Sequence, residues 1–283
     1  MKSKLVKRIT RGTDLLKQYV RSAILAAGAR NRFDEVQFFC MFIGYPRSGH
    51  TLVGSLLDAH RHIVTGLELD ALRYVKHGFS RKQLYSLLAD NSEWHATQGR
   101  QWTGYSYEVP NQWQGRVESI KVIGDKRGGD SSRRLAIDFS LFDRLRRKVG
   151  VPVKVVHVVR NPYDNMSTMT LRGDSANLNE AIEEYLSMVE VVERVRRCIP
   201  PENFITVRHE DIIAKPQAVL SELCAFLGVD APQAYLDDCA SILFESPNQT
   251  RSKISWSEQD IKRVAAVCAQ HDFLRDYTYG EKS

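Results

Sequence analysis

VQFFCMFIGYPRSGHTLVGSLLDAH (residues 36–60) joins a continuous apolar run to a glycine-bounded turn, and the turn to a stretch of helical periodicity. The run reads as a strand buried on both faces, and Leu52, Val53, Leu56 and Leu57 recur at helical spacing. A strand, a tight turn and a helix start form an anion site whatever the side chains, because the free N–H groups and the helix dipole both favour phosphate. The turn GYPRSGHT (44–51) departs by one letter from the ATP-loop pattern G-x-x-x-x-G-K-[ST]. His50 stands where the lysine that reaches the β- and γ-phosphates belongs. The strong cation has moved into the loop, as Arg47. An NTPase also wants a magnesium-holding acid after a second hydrophobic strand. The strand VPVKVVHVV (151–159) ends in Arg160 instead. Both departures replace triphosphate machinery.

SIKVIGD (119–125), VPVKVVHVV and NFITVRHED (203–211) read as further buried strands. Helical stretches are expected at 132–149, 179–198, 216–227 and 257–270. Strands alternating with helices imply an α/β fold: a single three-layer domain over residues 36–283, with a central parallel β-sheet. The segment from about residue 79 to 118 breaks this rhythm with Trp94, Trp102, Tyr105, Tyr107 and Trp113. It reads as an insertion over the sheet's carboxyl edge, where α/β ligands bind. Its aromatic rings either stack on sugar or phenolic rings or form a small satellite core.

The 283 residues carry 43% hydrophobic and 26% charged side chains, which is globular composition. The formal charge of +6 is uneven. Residues 1–32 hold nine bases and one acid, so the remainder holds 31 bases against 33 acids. The body is therefore no general polyanion binder, which speaks against nucleic acid. In the arm, residues 1–35, Leu5, Ile9, Leu16, Val20, Ile24 and Ala27 recur at helical spacing with bases between them. Such a helix either lies on anionic lipid as a peripheral membrane contact or docks on its own domain with a solvated basic face. A mitochondrial-type targeting arm is a third reading. No run of about 18 apolar residues predicts a membrane span. Five scattered cysteines (Cys40, Cys198, Cys224, Cys239, Cys268) lack metal-type spacing and point to reduced thiols and a cytoplasmic setting.

These motifs resemble sulfotransferases that use 3′-phosphoadenosine 5′-phosphosulfate. PRSGHTLVGSLLDAH is similar to that family's 5′-phosphosulfate loop, P-[KR]-S-G-T-T followed by a helix, with His50 replacing the first threonine. The resemblance implies that Arg47, Ser48, Gly49, His50 and Thr51 hold the phosphosulfate. VVHVVRNPYDNMSTMTLR resembles the family's 3′-phosphate motif, an arginine after a strand and a hydroxyl eight positions on. It implies Arg160 with Thr168 or its neighbour Ser167. Arg172, twelve residues after Arg160, matches the second arginine of the tyrosylprotein branch. A dianionic phosphate suits a fork-shaped guanidinium and a hydroxyl one helix turn away. VRHEDIIAKPQAVLSELCAFLG (207–228) is similar to a family strand–helix signature, with His209 where tyrosine usually faces adenine. NQTRSKISWSEQ (248–259) lies where the family places a loop that closes on the donor, so Arg251 or Lys253 could touch its phosphates.

Sulfuryl transfer needs a base for the acceptor proton and a cation near the bridging oxygen of the leaving group, and no metal. The resemblance assigns the base to Glu68, in VTGLELDAL, with Asp70, His50 and His60 as rivals. GDKRGGD (124–130) resembles the family's K-x-P segment without the proline. Lys126 would then neutralise the bridging oxygen beside Arg47, with Arg127 as the alternative. The acceptor stays open: a small molecule, lipid, glycan or peptide bearing a hydroxyl or amine. Two other functions stand against sulfuryl transfer. One is a P-loop kinase or NTPase, which the absent lysine disfavours. The other is a non-catalytic membrane-surface protein with a degenerate nucleotide fold.

Overall fold

A computed structural model describes residues 2–102, 104–244 and 246–280, with side chains from Asp14 onward. Leu5 and Ile9 of the arm's apolar stripe lie outside the described side chains. A long helix α1 (Lys2–Gly28) leads into β1 (Phe38–Gly44), α2 (His50–Asp58), β2 (Ile63–Leu67), α3 (Ala71–Lys76) and α4 (Arg81–Thr97). A two-residue ladder, β3 (Gln101–Trp102) with β4 (Tyr105–Ser106), precedes β5 (Val122–Lys126), α5 (Gly128–Ile137), α6 (Ser140–Val149) and β6 (Val153–Val159). Then come α7 (Pro162–Leu171), α8 (Leu178–Arg197), β7 (Phe204–Arg208), α9 (His209–Ala214), α10 (Pro216–Leu227), α11 (Gln233–Ser241) and α12 (Glu258–Cys268).

The five long strands pair in the order β2-β5-β1-β6-β7, and every pair is parallel. Side chains of successive residues alternate between the two faces. Phe39, Met41 and Ile43 of β1 therefore join the core beneath α4, α5, α6 and α8. Cys40 and Phe42 join the opposite core, with α2, α9, α10 and α11. Burial on both sides explains why β1 and β6 read as uninterrupted apolar runs. Three layers with a central parallel sheet are what the sequence implied.

One expected helix is divided, and one strand and the helix that opens the aromatic-rich segment are additional to those expected. The stretch 132–149 is two helices, parted at Asp138, whose backbone is extended (φ −146°, ψ 89°), and α5 starts earlier, at Gly128. β2 is not among the strands expected from the sequence, because Thr65 and Gly66 interrupt its apolar pattern, yet all five of its residues are buried. The aromatic-rich segment opens with the 17-residue helix α4, closed at its N-terminus by a capping box between Ser80 and Gln83. Leu84, Tyr85, Leu87, Leu88 and Ala89 are buried around α4, which packs on β2 and on α1. That all-round burial blurs its amphipathic signal. An ion pair between Arg100 and Asp58, both buried, fastens the segment to the end of α2. Asp58 also accepts from Thr65 N (2.6 Å) and Ser92 Oγ (2.9 Å), so burial, which pushes its pKa up, is opposed by every contact it makes.

Gly124, in β5 between β1 and β2, is required by close approach. A Cβ there would lie 2.2 Å from the Cys40 carbonyl oxygen, a backbone atom that cannot step aside. Gly124→Ala is expected to cost about 1–3 kcal/mol, which lowers the melting temperature by about 2–12 °C for a domain of this size. Thermal unfolding followed by circular dichroism checks it.

Candidate active site

The carboxyl ends of all five parallel strands open on one cavity of about 770 Å³. Each strand end carries one charged or titratable side chain; Glu68, Arg47, Arg160 and His209 line the cavity, and Lys126 is buried behind Glu68 and Thr51. β1 leads into the loop carrying Arg47, β2 into Glu68, β5 ends on Lys126, β6 is followed by Arg160, and β7 by His209. Across the sheet the sequence of groups is thus Glu68, Lys126, Arg47, Arg160, His209. With strands about 4.8 Å apart, the row spans about 19 Å.

At the centre, Arg47 has a left-handed backbone (φ 67°), and Gly49 (φ 98°) precedes α2 with no side-chain cap on the helix. The first amides of α2 are thus left to whatever anion the cavity holds. A Cβ on Gly49 would meet the His209 ring at 2.3 Å, so loop and ring are in intimate contact. Arg47 donates from Nε (2.6 Å) and Nη2 (3.1 Å) to the two carboxylate oxygens of Asp174, which pushes its pKa up against partial burial. Ser48 is fully buried and turns inward, donating from Oγ to Tyr45 O (2.9 Å), and it does not line the cavity. His50 Nε2–H donates to the Ile43 carbonyl (3.2 Å), and burial holds its pKa down to about 3. It is a neutral ring filling the loop's underside.

At the β2–β5 end, Lys126 Nζ donates to Glu68 Oε1 (2.7 Å) and to Thr51 Oγ1 (2.9 Å). Its stem is packed against Gly54, where a Cβ would meet Lys126 Cγ at 2.3 Å, and Nζ lies 5.5 Å from the Trp102 ring centre. Burial lowers the Lys126 pKa and the Glu68 carboxylate opposes that shift. Glu68 is left-handed (φ 58°), and its carboxylate reaches the cavity wall. Arg127 Nη1 donates to the Glu68 carbonyl (2.9 Å), and its Nη2 donates to Asp130 (2.6 Å). Asp70, the rival carboxylate, instead caps α3 and pairs with Arg134, away from the cavity. His60 is buried, with Nε2–H donating to Asp230 O (2.9 Å), and does not line the cavity either.

At the β6–β7 end, Arg160 is buried among carbonyls, donating from Nη1 to Arg47 O (3.4 Å) and from Nη2 to Asn248 O. Its Nε has no partner, and burial lowers its pKa. Thr168 lines the cavity, 3.5 Å from Arg160 Nη1, whereas Ser167 is buried and accepts from Trp256 Nε1 (3.0 Å). The exposed Arg172 lines the same wall. His209 is held neutral by burial (pKa down to about 3), and its Nδ1 is buried without a partner.

Arg251 and Lys253 are not brought to the cavity. Arg251 is buried against Asp164, which accepts from the backbone N–H groups of Thr250 (2.7 Å) and Arg251 (2.8 Å). Lys253 is exposed on the following turn. Sequence reasoning missed Asp174 and Phe244, which line the cavity from connections without a motif. In the expected closing loop it singled out Arg251 and Lys253, whereas Asn248, the first residue of that loop, lines the cavity. Of the aromatic rings, Trp102, Tyr105 and Tyr107 line it, while Trp94 is largely exposed and Trp113 lies elsewhere. Among the described residues, no group of His, Cys, Asp and Glu is arranged to hold a metal ion.

Residues 152–233, the span from β6 to the start of α11 that carries Arg160, Thr168, Arg172 and His209, match the model of the sulfotransferase family Sulfotransfer_3. Solved structures agree over nearly the whole chain. The sulfotransferase domain of the olefin synthase from Synechococcus PCC 7002 superposes with a TM-score of 0.50 at 17% identity, covering 88% of this chain and 89% of that one. The fold is that of the sulfotransferases. The sulfotransferase domain from the curacin biosynthetic pathway gives a TM-score of 0.50 at 15% identity, over 83% and 97% of the two chains. A sulfotransferase from Mycobacterium avium gives 0.52 at 10% identity, over 92% and 84%. No curated protein sequence matches the chain. The Arg47 loop lies outside the family match, so within the sulfotransferase fold its reading rests on geometry.

His50, His157 and His209 all have pKa values lowered to about 3 by burial, from an ordinary 6.5. Unfolded, they protonate as pH falls below about 6.5; folded, they do not, so stability is lost on acidification. At pH 5 the three are expected to add about three protons to the uptake on unfolding. The pH slope of the denaturation free energy between pH 7 and 5 measures it, and His157→Phe should reduce that slope by about one proton.

Proposed function

We propose that the protein transfers a sulfuryl group from 3′-phosphoadenosine 5′-phosphosulfate to a hydroxyl or amine acceptor. The observation that carries this reading is the meeting of Arg47 and Arg160 in one cavity, with the Arg160 guanidinium 3.4 Å from the Arg47 carbonyl. Two cationic centres so placed suit one elongated, doubly anionic donor. The start of α2, which has no side-chain cap, is a further feature of the cavity that fits such a molecule.

In this reading the start of α2 and Arg47 bind the 5′-phosphosulfate, and Arg160, Thr168 and Arg172 bind the 3′-phosphate. His209 faces the adenine. The donor, when bound, supplies an activated sulfur whose bridging oxygen leaves as part of a phosphate. Glu68 takes the acceptor's proton on its carboxylate as the acceptor oxygen or nitrogen forms its bond to sulfur. The bond from sulfur to the bridging oxygen breaks with its electron pair going to that oxygen. Lys126 and Arg47 stabilise the charge that gathers there. Thr51, already bonded to Lys126, keeps the ammonium aimed between the loop and Glu68. Trp102, Tyr105 and Phe244 form an aromatic wall on the Glu68 side, which supports an acceptor with an apolar or ring-bearing body.

Glu68→Gln is expected to lower kcat by about 10²–10⁴ while leaving the affinity for 3′,5′-diphosphoadenosine within about twofold. Arg160→Ala is expected to abolish the rise in melting temperature that this nucleotide causes, with the unliganded fold intact. The thermal shift should appear without magnesium. A shift given by ATP and magnesium but not by 3′,5′-diphosphoadenosine would overturn the proposal in favour of a nucleotide kinase.

A further inference from the structure

We propose that the outer face of α1 is a docking surface for an anionic lipid bilayer. The helix packs on the domain through one face: Leu15 and Leu25 lie against the core, Ala26 and Ser22 are buried, and Gln83 Nε2 donates to Ser22 Oγ (3.1 Å). Arg21 pairs with Asp90 (2.7 Å), Asp14 with Arg73 (3.2 Å), and the Tyr19 ring meets Phe79 edge-on at 5.1 Å. These contacts do not use the apolar stripe that the sequence displays. Leu16, Val20 and Ile24 are 65%, 53% and 69% exposed, one helical turn apart on the side away from the domain. A folded protein gains nothing from three large aliphatic side chains in a row on a surface helix unless something covers them.

Charge identifies the occupant. Residues 1–32 hold nine bases against one acid, and with Arg21 and Arg32 paired to Asp90 and Glu93 of the domain a positive excess remains, so two copies of this helix brought face to face would repel. The stripe is also too small to form a stable dimer, which needs roughly 800 Å² per partner. An anionic bilayer reverses both objections, because a modest apolar face suffices when each nearby base adds about 1 kcal/mol. A second basic cluster adjoins the helix. Arg81, Arg144, Arg147 and Lys148 line a cavity with Gly78 and Ser80, the two neighbours of the Phe79 that Tyr19 contacts. This surface is separate from the cavity at the strand ends, so it stands whether or not the sulfuryl-transfer reading does.

The test is co-sedimentation of the full chain with vesicles of phosphatidylcholine alone or containing about 30% phosphatidylserine. Binding is expected to be at least about tenfold tighter to the anionic vesicles and to weaken as salt rises from about 0.1 to 0.5 M. Leu16→Ser/Val20→Ser/Ile24→Ser should lose about tenfold or more of that binding. Arg144→Ser/Arg147→Ser/Lys148→Ser should lose several-fold and flatten the salt dependence. The circular dichroism and melting temperature of each variant check that it folds. Absence of binding to anionic vesicles overturns the proposal, and so does full binding by the Leu16→Ser/Val20→Ser/Ile24→Ser variant. A chain that elutes as a dimer, and as a monomer once the stripe is removed, overturns it in favour of a second copy.

Discussion

The order of five parallel strands is the constraint on which the rest of the site depends. Because every strand runs the same way, every carboxyl end opens on the same edge, and strand order becomes the order of chemical groups. Glu68 and His209 stand at the two outer strands, with Lys126, Arg47 and Arg160 between them. The chain reaches that order through crossovers, so residues 68, 126 and 47 lie side by side although they are far apart in sequence. The register is held by hydrogen-bonded ladders buried on both faces, and a one-residue slip would turn every side chain to the other core. The proposed separation of reacting and nucleotide-binding ends therefore follows from topology before any side chain is considered.

Within that frame, the cations are already engaged. Arg47 is gripped by Asp174, Lys126 by Glu68 and Thr51, and Arg160 by two backbone carbonyls. A buried cation left unpaired would be costly, and each of the three has partners. The pairing differs in kind. Arg160's hydrogen bonds go to neutral carbonyls, and burial lowers its pKa while Asp164 and Glu210 nearby oppose that shift. The Lys126–Glu68 pair is different, because its two members belong to the same proposed step. Their 2.7 Å bond holds the Glu68 carboxylate at the cavity wall, where its second oxygen lies 3.8 Å from Arg127 Nη1.

The parts of this arrangement legible in the sequence were those with an uninterrupted pattern. β1, β5, β6 and β7 announced themselves as apolar runs, and Arg47 and Arg160 stood at fixed offsets from two of them. β2 was faint because Thr65 and Gly66 break its run, and α4 because apolar residues surround it. Asp174 had no sequence signal, since its place in the cavity depends on how the loop after α7 returns over the sheet. Asn248 stood in the segment read as a closing loop, where charge drew attention to Arg251 and Lys253 instead. The choice between Ser167 and Thr168 could not be read from spacing. It turns on which face of α7 meets Trp256, and Ser167 is on that face. The arm shows a different limit: its apolar stripe was visible, but periodicity alone does not say which face of a helix meets the domain. Tyr19, Gln83 and Asp90 decide that, through contacts no pattern encodes.

The histidine in the loop is where sequence and structure explain each other most fully. In an ATP loop the residue at this position extends toward phosphate. Here the His50 ring folds beneath the loop, held by the Ile43 carbonyl at the end of β1. It fills the space beside Gly128, where a Cβ would come within 2.0 Å of the ring. Burial keeps it uncharged, so it adds no field of its own and supports the turn by packing. The cation it displaces is supplied from two sides: by Arg47 from within the turn, and by Lys126 from the neighbouring strand through Thr51. A glycine at 128 and a lysine at 126 are thus the structural counterpart of a histidine at 50. The three positions form one packing solution, in which positive charge enters from the side of the loop and leaves its underside neutral.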